Sequence, residues 1–167
     1  TAVYLADYPL LQDRPFPAAC DAVLAAWDAL IATGLTPRNI VIAGDSAGGN
    51  LVFGLLAQIL ARGQRPAGVV AFSPWVDLTM SGISIAANAS ADALIPVGRM
   101  DETVRLYLDG ADARDPRASP IFAKYPNPPP IFIQVGRDEV LLSDSKNMAE
   151  LTDAEIEIWD HVPHVWQ

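Results

Sequence analysis

The apolar run Ile40 to Ala43 ends in Gly44-Asp45-Ser46-Ala47-Gly48-Gly49 and passes without a spacer into a stretch, about Ala47 to Arg62, that is apolar nearly all round through Leu51, Val52, Phe53, Leu55, Leu56, Ile59 and Leu60. A short apolar run of this kind reads as a strand, and a long one as a buried helix. Joining the two through a few small residues leaves room only for a strand, a sharp turn and a helix laid back on it. That is the building unit of a parallel sheet, whose strands need long crossovers.

The rest of the chain repeats the alternation. Further runs read as strands at Ala2 to Ala6, Val69 to Phe72, Ile131 to Val135 and Glu155 to Trp159. The middle runs are continuously apolar, as expected of parallel strands covered on both faces, whereas Glu155 and Glu157 alternate with Ile156 and Ile158 as at a sheet edge that meets water. Cys20, Val23, Leu24, Trp27, Leu30 and Ile31 recur at helical spacing, with Pro17 suited to the first turn and Gly34 to the stop. Leu78 to Gly110 breaks the pattern: it has no strand signal, carries Gly82 and the small residues Ala86 to Ala91, and holds a helix near Arg99 to Leu108. It reads as a lid-like excursion over the strand ends. Pro126 and Pro128 to Pro130 form a stiff, extended lead into the next strand. The expected fold is α/β, a mostly parallel sheet with helices on both faces.

In such a fold the glycine-rich turn has the strand, turn and helix order of a nucleophile elbow, which lifts Ser46 outward. The backbone N–H of Ala47, with the helix N-terminus behind it, then faces the same space and can stabilise charge developing on a carbonyl oxygen. A small, glycine-rich joint between strand and helix is common, and a bare G-x-S-x-G is weak evidence; its flanks and a downstream base are what give it weight. A serine hydroxyl needs such a base, and only His161 and His164 are available. Both follow the last strand. A carboxylate must hold the imidazole, and Asp138 and Glu139, after the Ile131 to Val135 strand, are adjacent candidates of which a tight turn directs one toward the ring; Asp144 is a third.

Composition narrows the alternatives. A chain of 167 residues with 51% hydrophobic content can bury a core, and a net charge of −9 without any run of Lys or Arg opposes a nucleic-acid partner. Cys20 is the single cysteine, so no internal disulfide or cysteine-based metal cluster is available and a reducing, cytoplasmic setting is the expectation. Asp21 and Asp28 divide the longest apolar candidate, so no membrane span is expected.

Several segments, in order, resemble the bacterial hormone-sensitive lipase family of esterases, also called family IV. Asp7-Tyr8-Pro9-Leu10 with Pro15-Phe16-Pro17, the Gly44 to Gly49 elbow, Ser73-Pro74-Trp75-Val76-Asp77-Leu78, Asp115-Pro116 with Ser119-Pro120, Gln134-Val135-Gly136 and Pro163-His164-Val165 carry the likeness over nearly the whole chain. The resemblance implies one α/β-hydrolase catalytic domain over 1–167 and hydrolysis of short- to medium-chain carboxylic esters through an acyl-enzyme. It implies no cofactor and no metal, a small-molecule ester as partner, and admits a homodimer. It makes His164 the base and maps the acid onto Glu139, with Asp138 beside it. Amidase, lactonase or acyltransferase activity would use the same groups, and a ligand-binding protein on the same scaffold is the non-catalytic alternative.

The family pattern also includes a His-Gly-Gly loop that completes the oxyanion hole, and N-terminal cap helices. Neither occurs in this sequence. The join from Met148 to Glu155 looks several residues short. The expectation is therefore a segment of a longer enzyme. Lacking one oxyanion donor, it would lose on the order of 3 kcal/mol of transition-state stabilisation.

Overall fold

The computed structural model describes residues 2–167. Four strands, β1 (Val41–Asp45), β2 (Gly68–Phe72), β3 (Ile131–Gly136) and β4 (Glu155–Trp159), form one sheet in the order β1-β2-β3-β4. Every neighbouring pair is parallel, so all the strands end on the same side. The registers align Ile42 with Val69 and Val69 with Ile131, and likewise Gly44, Ala71, Ile133 and Ile156. These residues share one face, and all but half-buried Gly44 and Ile156 are buried.

Helices α1 (Ala18–Ala32), α2 (Ser46–Ala61) and α5 (Leu142–Thr152) supply the other half of the core, joining Cys20, Trp27, Phe53, Leu56, Ile59 and Met148 to that face in one apolar cluster. Burial at this scale, at roughly 25 cal/mol per Å² of apolar surface, is what sets α2 rather than its propensity. The α2 interior holds Phe53, Leu56 and Ile59 with no exposed surface, as its all-round apolar sequence requires. The opposite face, with Val41 58% exposed and Val70, Phe132 and Gln134 half-buried, carries no helix among the described residues. Within the described residues the helices thus cover one face, a partial form of the expected α/β core.

Ala2 to Ala6 is not a strand. Val3 and Leu5 are 82% and 92% exposed, and no strand of the sheet lies beside them. A strand exists only through ladder hydrogen bonds to a neighbour, so apolar composition alone does not make one. The Leu78 to Gly110 excursion holds α3 (Ile83–Ala87) and α4 (Val97–Leu108), the latter beginning two residues before the expected Arg99, just after Pro96. Among the described residues, no helix is long and apolar enough to cross a membrane.

Candidate active site

Because the strands are parallel, four loops leave the sheet on one side, and this is where α/β folds place their chemistry. β1 delivers the turn at Asp45 and Ser46, β2 delivers Ser73, β3 delivers Gly136 to Glu139, and β4 delivers His161 to His164. Ser46 sits in the left-handed region at φ +51, the first residue of α2, with Asp45 extended before it. That backbone costs a non-glycine residue on the order of 1–3 kcal/mol and persists where the surroundings enforce it. One restraint is the Trp75 N–H, which donates to the Ser46 carbonyl at 3.1 Å.

The bend is this tight because position 44 has no side chain. A Cβ there would stand 2.5 Å from the Gly48 carbonyl oxygen and 2.9 Å from Val52 Cγ2. Gly44→Ala must therefore force β1 and α2 apart. The expected cost is about 3 kcal/mol, read as a fall in Tm of roughly 6–12 °C in thermal unfolding; an unchanged Tm would show that the turn is not held by this contact.

His164 reaches the acid turn from the far side. Its Nδ1 lies 2.6 Å from Glu139 Oε2, with the two side chains 11% and 1% exposed. Asp138 turns away and instead stands 3.5 Å from Nδ1 of His161, whose side chain is 92% exposed. Of the sequence candidates, the fold thus brings together Glu139 and His164 and sets Asp138 with His161 at the surface. Glu139's other oxygen, Oε1, accepts the Ser73 hydroxyl at 2.7 Å and the Gly136 N–H at 2.5 Å. Gly136 leaves the space for this, since a Cβ there would lie 2.9 Å from Glu139 Oε1 and 2.9 Å from the Val162 carbonyl.

A carboxylate on Nδ1 fixes the neutral ring in the tautomer whose Nε2 is free to accept a proton. No hydrogen bond joins Ser46 to His164 among the described residues. Such bonds often tighten only as substrate binds.

The excursion grips this turn. Asn88 Nδ2 donates to the carbonyls of Arg137 and Glu139 at 2.9 and 2.8 Å, Asp92 accepts the Val140 N–H at 2.9 Å, and Ser84 and Ser143 exchange hydrogen bonds through their hydroxyls and backbone amides. Asp144, the third sequence candidate, is elsewhere: it accepts the N–H groups of Val76 and Asp77, and burial pushes its pKa up to about 7. Cys20 is no rival nucleophile, since it is buried and that burial pushes its thiol pKa up. Sequence reasoning gave no role to Ser73, Asn88 or the Gly136 amide; Ser73 and Gly136 entered only as members of the family-like segments Ser73 to Leu78 and Gln134 to Gly136.

Two hollows flank the cluster. One, of about 200 Å³, is apolar and lies beside Ala47, with Tyr8, Leu10, Leu51, Trp75 and Tyr107 among its walls. The other, of about 270 Å³, is lined by Asp92, Asp138, Glu139, His161 and His164. The first suits an acyl or alkyl group next to the exposed Ala47 at the helix start.

A family model described as alpha/beta hydrolase fold matches residues 1–167. A protein named esterase from Acinetobacter venetianus is 38% identical over 146 residues, 86% of this chain and 48% of that relative. An acetyl-hydrolase of Streptomyces hygroscopicus is 34% identical over 171 residues, 99% of this chain and 57% of its own. A crystal structure of an esterase from the bacterial hormone-sensitive lipase family superposes with a TM-score of 0.91 at 38% identity, over 96% of this chain and 56% of that one. The chain spans about half the length of the curated relatives it matches.

Proposed function

The chain belongs to the alpha/beta hydrolase fold family, and from that premise we propose that it carries the nucleophile, base and acid of a serine carboxylesterase acting on short- to medium-chain carboxylic esters. Ser46 Oγ attacks the acyl carbon while His164 Nε2 takes its proton. Glu139 holds the imidazole at Nδ1 and stabilises the imidazolium that forms. The Ala47 N–H, at the N-terminus of α2, receives the oxyanion. His164 then returns the proton to the departing alcohol, and water, activated by the same ring, releases the acid.

The observation that carries this reading is the 2.6 Å contact between His164 and the buried Glu139, across 25 residues, on the side of the sheet where the Ser46 bend stands. The names of the relatives support the ester class, and the apolar hollow beside Ala47 supports a modest acyl group. In the full-length protein, a fluorophosphonate is expected to label Ser46 covalently, as read by peptide mass spectrometry. A protein that hydrolyses no ester and leaves Ser46 unlabelled would instead be a binding member of the fold.

A further inference from the structure

Glutamate has three rotatable side-chain bonds where aspartate has two, so a glutamate serving His164 needs a second anchor to keep its carboxylate in one place. Here Oε2 is committed to His164, and only Oε1 is left to be tied. The Gly136 N–H ties it from within the same turn, at 2.5 Å. The second tie comes from the neighbouring strand: the Ser73 hydroxyl donates to Oε1 at 2.7 Å, between residues 66 positions apart. We infer that Ser73 is a positioning residue for the proposed esterase reaction, setting the plane and orientation of the Glu139 carboxylate and through it the His164 ring.

The backbone of Ser73 gives independent support. It has no exposed surface and sits at φ +47, a left-handed conformation that glycine adopts freely and serine does not. Its N–H donates to the Gln134 carbonyl at 2.8 Å, which locks the strand end and aims the side chain. If the position served only the turn, glycine would serve it better; what serine adds is the hydroxyl that reaches the buried carboxylate.

This difference supplies the test, which rests on the esterase reading for its kinetic arm alone. In the full-length protein, Ser73→Gly is expected to keep or raise Tm, because strain is relieved, and to leave KM for p-nitrophenyl acetate within about twofold. Its kcat is expected to fall about tenfold, the scale of one charge-assisted hydrogen bond lost from a positioned group. Ser73→Cys, which keeps a weak donor, is expected to lie between. The downfield proton resonance of His164 Nδ1–H is expected to broaden or move upfield in Ser73→Gly, whether or not any ester is turned over. A Ser73→Gly protein with wild-type kcat and an unmoved resonance would overturn the inference while leaving Ser46 labelling, and with it the esterase reading, intact. Absent labelling with a shifted resonance would do the reverse.

Discussion

Ser46→Ala is expected to lower kcat on p-nitrophenyl acetate by about 100,000-fold, some 7 kcal/mol of transition-state stabilisation, with KM changed by less than about threefold. The substitution removes one oxygen from a half-buried residue whose φ of +51 alanine must share, so Tm should move little. The whole loss therefore falls on chemistry. What remains would come from binding and the oxyanion donor, which act without a nucleophile. Steady-state kinetics on the full-length protein decide it, and a variant retaining a tenth of wild-type activity would remove Ser46 from the reaction.

Glu139→Gln is expected to cost about 10,000-fold in kcat, whereas Asp138→Asn should cost less than about threefold. An amide on Nδ1 no longer favours the tautomer with a free Nε2, and it cannot stabilise the imidazolium, a loss on the order of 5 kcal/mol. Asp138 has 42% of its side chain exposed and pairs with the exposed His161 at 3.5 Å, so its charge is screened and its removal is felt weakly. The paired measurement separates the two neighbours cleanly. A collapse in Asp138→Asn beside a functional Glu139→Gln would reverse the assignment and require the turn after β3 to rearrange before catalysis.

How far the sequence could be read depended on the range of the interaction involved. The Ser46 bend was legible because its cause is local: Gly44 and Gly48 must touch, and the nearest atoms a Cβ at Gly44 would meet belong to Gly48 and Val52. β2, β3 and β4 were legible within a residue because apolar runs mark them, and the parallel arrangement followed from the spacing of the helices. The choice between Asp138 and Glu139 was open from the turn itself, and only the family resemblance pointed to Glu139, because it turns on which way two successive side chains leave a turn whose shape depends on Gly136 and the Val162 carbonyl. Ser73 and Asn88 lay further out of reach, since their partners are 66 and 51 residues away. Ala2 to Ala6 misled for the complementary reason: a strand signal says what a segment would do given a neighbour, not whether one stands beside it.

The imidazole follows β4, which among the described residues is an edge strand paired with β3 alone and presents Glu155, Glu157 and Trp159 to solvent. Edge elements of this kind open at lower free energy than the interior. On warming, β4 is expected to peel from β3 while Phe53, Leu56 and Ile133 still hold the centre together, and the proposed proton acceptor, His164, would leave with it. Loss of the proposed esterase activity several degrees below the midpoint of thermal unfolding, followed by assay and circular dichroism on the same sample, is the expected sign of this order.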